Sequence, residues 1–70
     1  MNADEYQAIL EQVNLPGEVK LWPGVYITDV EQFIQSHLTE LRFSKNQRQI
    51  DLLKMRLDRL LELVRDHQKD

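Results

Sequence analysis

Two histidines, four aliphatic hydroxyls and twelve acids are the side chains here that could carry enzymatic chemistry. Nucleophilic catalysis needs an activated Ser, Thr or Cys beside a base that a third group orients. Ser36 and Thr39 fall on the exposed flank of a predicted helix, Thr28 and Ser44 read as helix caps, and cysteine is absent. Acid–base work by carboxylates needs two of them facing each other in a cleft. The acids here mostly lie opposite the apolar stripes, where solvated faces belong. His37 falls inside an apolar helical face, and the reading preferred for it is a partly buried ring bonded to a backbone or connector oxygen. His37 and His67, with scattered carboxylates, have neither zinc nor calcium spacing. Gly17 and Gly24 each follow a proline in a turn, so neither belongs to a phosphate-binding loop. Three short helices leave little room for a ligand pocket of ~300 Å³. These residues predict no enzyme, no catalytic, cofactor or metal site and no small-molecule substrate.

Two other groups of residues are suited to contact a macromolecule, and both lie on the predicted third helix. Leu52, Met55 and Leu63 stand away from the apolar seam of that helix, interleaved with Arg48, Arg56 and Arg59. Methionine adapts its shape and arginine makes forked bonds to carboxylates, so both are enriched at interfaces. Leu52, Met55, Arg56, Arg59 and Leu63 are therefore the candidate protein–protein interface, with a second copy or another protein as partner. The alternative reads Lys45, Asn46, Gln47 and Arg48 as contacts to nucleic acid, since a recognition helix presents its first residues to base edges and phosphates. A membrane-surface role fits poorly, because Asp51, Asp58, Glu62 and Asp66 interrupt the basic face.

The elements that must hold these residues follow from punctuation and period. All the proline and glycine lies between Pro16 and Gly24, dividing a short first helix from a helix-prone second half. Helix 1, about 3–13, has Asn2 and Glu5 placed for a capping box and a stripe of Tyr6, Ile9, Leu10 and Val13. The connector, 14–27, reads as an ordered loop that presses Leu21, Trp22 and Ile27 onto the helices. A tiny hairpin is its alternative, disfavoured because Pro23-Gly24 suits a type II turn, which matches strand twist poorly. Helix 2, about 28–43, starts at Thr28 or Asp29, with Val30, Phe33, Ile34, His37, Leu38 and Leu41 on one face. Helix 3, about 45–67, carries Ile50, Leu53, Leu57, Leu60, Val64 and His67 at coiled-coil-like spacing, widened by Leu61, with Ser44 as its expected cap. The stripes of helices 2 and 3 do not share a phase, so a break is expected around Phe43 to Gln47. The fold class predicted is all-α: a three-helix bundle over residues 1–70 with an ordered Pro/Gly connector.

The run Leu15-Pro16-Gly17-Glu18-Val19-Lys20-Leu21, then Ile27-Thr28-Asp29-Val30 and Phe33-Ile34-Gln35-Ser36-His37-Leu38, resembles a family of short bacterial helical proteins catalogued only as a domain of unknown function. The family pattern has a longer proline- and glycine-bearing loop where this chain has Ser44-Lys45-Asn46-Gln47. The resemblance implies a shared fold and carries no activity, cofactor or partner with it.

Charge and size narrow the class further. Residues 1–40 hold seven acids against Lys20 alone, a balance of −6, while residues 41–70 hold eight bases against five acids, a balance of +3. The net −3 disfavours nonspecific binding to nucleic acid or acidic membranes, and the asymmetry suits attraction between the two halves. Seventy residues without cysteine must rely on helix packing or self-association for stability. Asp4 and Glu5 stand where a secretory signal would be basic, and no apolar run approaches the ~20 residues of a membrane span. A cytoplasmic protein–protein interaction module is the expectation.

Overall fold

The computed structural model describes residues 1–67, and side chains as far as Asp66. The chain order is α1 (Ala3–Glu11), β1 (Val19–Trp22), β2 (Val25–Ile27), α2 (Val30–Phe43) and α3 (Gln47–His67). An antiparallel two-stranded sheet stands where an ordered loop was expected, so the fold is α+β and not an all-α three-helix bundle.

The reason lies in the hairpin's register. Val19 pairs with Ile27 and Lys20 with Tyr26, but Trp22 pairs with Val25, which leaves Leu21 as one extra residue on β1. Gly24 has φ of 83°, the positive value that the third position of a type II turn requires. Such a turn splays regular strands, whereas a bulge adds right-handed twist and bends the strand that carries it. The extra residue at Leu21 thus reconciles a Pro-Gly turn with strand pairing.

Each helix begins and ends for a local reason. Asn2 and Glu5 form the expected capping box, with Asn2 Oδ1 accepting from the Glu5 N–H at 2.9 Å. α1 stops at Glu11, two residues before the predicted end. Asp29 caps α2 by accepting from the Gln32 N–H at 3.0 Å, and the Val30 N–H donates to the Gly17 carbonyl at 3.1 Å. Ser44, expected to open α3, instead terminates α2, its N–H donating to the Glu40 carbonyl. Asn46 takes the capping role, its Oδ1 accepting from the Gln49 N–H at 3.3 Å.

Twenty-one residues at about 1.5 Å each make α3 most of the molecule's 38 Å length. α1 packs on α2, while α2 and β1 pack on α3. Tyr6, Leu10, Leu21, Ile27, Val30, Ile34 and Leu38 meet Leu57, Leu60, Leu61 and Val64 in one core. In the predicted seam Leu53, Leu57, Leu60 and Val64 are buried and Ile50 is half-buried. The His67 side chain lies outside the described residues.

Candidate functional site

With its inward seam filled, α3 presents a second face whose residues meet different fates. Leu52 and Met55 are exposed at 42% and 49%. Leu63, predicted with them, is half-buried and packs against the core. Arg59 is held on two sides: its Nε donates to the Leu21 carbonyl at 2.8 Å and its Nη1 lies 3.3 Å from Glu62 Oε2. The first contact depends on the bulge, which leaves Leu21 outside the regular strand pairing. Arg56 is exposed and borders a groove with Trp22, Phe33 and His37. The surface is more grooved than three short helices suggest.

Trp22 joins this face, which the sequence reading did not foresee. It is half-buried against the core, and it also lines a groove of about 480 Å³ with Asp51, Met55, Asp58, Arg59 and Glu62. No spacing rule links residue 22 to residue 55. The signal available was a tryptophan beside a Pro-Gly turn, in a connector expected to press it onto the helices. Asp58 is engaged as well, its Oδ1 accepting from the Tyr6 hydroxyl at 2.7 Å. Burial, and then the bond to Asp58, push the Tyr6 pKa well above the ordinary phenol value.

The basic start of α3 is partly absorbed by the helix itself. Lys45, Asn46, Gln47 and Arg48 are all exposed. Yet Asn46 is the cap, and Gln47 Nε2 donates to Asp51 Oδ1 at 2.9 Å. Only Lys45 and Arg48 of the four keep their side chains for an outside contact.

Of the groups first considered for chemistry, Thr28, Ser36 and His37 line one groove with Asp29, but among the described residues none bonds another. The His37 ring donates from Nδ1 to the Phe33 carbonyl at 2.8 Å and stacks on the Phe33 ring at 3.8 Å. That bond leaves Nε2 as the unprotonated nitrogen of the neutral ring; it is buried and meets no hydrogen-bonding protein atom among the described residues. Desolvation lowers the His37 pKa, with Arg56 adding to the effect and the Phe33 bond and Glu40 opposing it. Ser36 Oγ accepts from Gln32 Nε2 at 3.3 Å. Among the described residues, no three His, Asp or Glu side chains gather as metal ligands, and no helix is long and apolar enough to cross a membrane.

The family model "Domain of unknown function (DUF6965)" matches residues 1–69. The chain belongs to this family. The match includes both runs, 15–21 and 27–38, that carried the resemblance. No curated protein and no solved structure matches the chain. In this DUF6965 member the 27–38 run has structural uses: Asp29 caps α2, Ile27, Val30, Ile34 and Leu38 enter the core, and His37 packs on Phe33.

Proposed function

We propose that the chain is a small non-enzymatic protein–protein interaction module of the bacterial cytoplasm, which associates with itself through the outer face of α3. The observation that supports this is the joint exposure of Leu52 and Met55 on a helix whose inward seam is already filled. Single exposed apolar residues are ordinary on soluble proteins. Here two stand about one helical turn apart among arginines, and Met55 shares a groove with Trp22. A domain of 70 residues without cysteine also gains stability by mass action when copies associate.

Sedimentation equilibrium of the wild type beside a Leu52→Ser/Met55→Ser variant tests the reading. The wild type should associate with rising concentration, and the variant should stay monomeric while keeping its helical circular dichroism and matching the wild-type melt at dilutions where both are monomeric. A wild type monomeric up to hundreds of micromolar would sink the reading. An association indifferent to the double substitution would move the interface off this face.

A further inference from the structure

The outer face of α3 is a poor partner for its own twin. In an isologous contact one patch meets itself across a two-fold axis. Arg48 and Arg56 of one copy would then crowd the same two arginines of the other, while Glu62 is already paired with Arg59, and Asp51 and Asp58 accept bonds from Gln47 and Tyr6. Arg48 and Arg56 hold no ion-pair partner among the described residues, so their charge stands unneutralised.

Elsewhere the molecule has a surface of the opposite character. Between α1 and α2 lies a groove of about 310 Å³ to which α3 contributes no residue. The buried side chains of Leu10, Ile34 and Leu38 line it, with half-buried Val13 and Leu15 beside them. Glu11 and Glu31 line the same groove with no basic residue among its lining, and Arg42, which donates to the lining Gln7, is itself paired with Asp4. Glu11 accepts an amide bond from Gln7 at 2.9 Å, which leaves its charge in place, and neither carboxylate has a cation partner among the described residues. The groove belongs to the half of the chain whose balance is −6, and the strip to the half whose balance is +3.

We propose that the α3 strip of one copy docks into the α1–α2 groove of the next. This rests on the self-association reading above and names the surface that the strip meets. Leu52 and Met55 cover the apolar part of the groove, while Arg48 and Arg56 approach Glu11 and Glu31, as in other cases of a helix laid into a groove. The contact is heterologous: a row of copies keeps one free strip at one end and one free groove at the other. Growth therefore continues past the dimer unless the rotation between copies closes a ring. Opposite charges at the contact make the association weaken as salt is added.

Complementation between two variants decides the matter. Glu11→Lys/Glu31→Lys spoils the groove and keeps the strip, whereas Leu52→Ser/Met55→Ser spoils the strip and keeps the groove. By sedimentation equilibrium the wild type should associate, growing beyond the dimer unless two copies dock reciprocally into a closed pair, and each variant alone should remain monomeric. An equal mixture should form a one-to-one dimer that grows no further. Should charge reversal impair folding, Glu11→Gln/Glu31→Gln keeps the shape and is expected to weaken association about tenfold or more. A wild type that associates while both groove variants retain its full affinity would overturn the docking and leave a strip-to-strip contact. A mixture that stays monomeric would overturn it too. A monomeric wild type would remove the self-association reading and the docking together.

Discussion

Leu57 and Leu52 sit on the same helix, five residues apart, and illustrate what α3 does with its two faces. Leu57 is fully buried in the core that α1, α2 and the hairpin share with α3, and Leu52 keeps 42% of its surface exposed. Nothing in the side chain distinguishes them; their neighbours do. The inward leucines have lost their water to α1, α2 and β1. Leu52 stays exposed with Met55, which lines a groove with Trp22 and Arg59. The inner face should therefore govern folding, and the outer face should leave folding nearly untouched while governing association.

The largest test of that division is Leu57→Ala, which should cost about 2–5 kcal/mol through lost burial and a residual cavity. Leu52→Ala should change stability by no more than about 0.5 kcal/mol. Urea melts of the two variants give both values, and similar losses would erase the distinction between the faces.

Arg59 is the residue that crosses the division, since it lies on the outer face and bonds the hairpin at the carbonyl of buried Leu21. Arg59→Met keeps the stem but leaves the Leu21 carbonyl without its donor, at an expected cost of about 1–3 kcal/mol. Trp22 fluorescence should shift with it, because the same bond holds β1 against α3. An unchanged melt with unchanged fluorescence would make Arg59 an ordinary surface charge.

Gly24→Val examines the turn that brings Trp22 to the outer face. A Cβ at Gly24 meets nothing within 4 Å, so strain at φ of 83° is the whole effect. About 1–2 kcal/mol is expected by thermal melt, and a neutral result would exclude the left-handed backbone there.

The smallest effect concerns His37. Folding lowers its pKa, so the fold favours the neutral ring. The stability this contributes is complete above the unfolded value near 6.5 and is lost as pH falls through the lower folded value. Urea midpoints should drop on acidification below about pH 6.5, and His37→Gln should lose that part of the acid sensitivity. Equal acid sensitivity in both proteins would place its cause at other groups.

Helices were legible where a period or a cap is written locally. The 3-4 spacing around Leu57 needs no partner to be read, and Asn2 with Glu5 carries its capping box within four residues. The break between α2 and α3 followed from the phase mismatch of two stripes, although Ser44 and Asn46 were equally good caps by type. The hairpin was the disfavoured alternative because a type II turn argues against strand pairing unless a bulge intervenes, and a bulge at Leu21 leaves no trace in residue types. The outer face was half legible. Leu52 and Met55 could be placed by helical angle, but the burial of Leu63, the bond from Arg59 to Leu21 and the approach of Trp22 depend on where the hairpin lies. The residues that carried the resemblance, 27–38, were legible as a family pattern, and the family model bears that out over residues 1–69.

The bond from Tyr6 to Asp58 spans 52 positions of sequence and ties the first helix to the last. Nine residues are too few for α1 to persist alone in water. Its helical state is therefore borrowed from contacts supplied near the far end of the chain. Removing the last helix would leave α1 and the hairpin without a scaffold, so shortened forms should behave as unfolded peptides instead of smaller folded units. Amide exchange in α1 should then slow to the rate set by opening of the whole molecule, with no separate early melting of the amino-terminal turns.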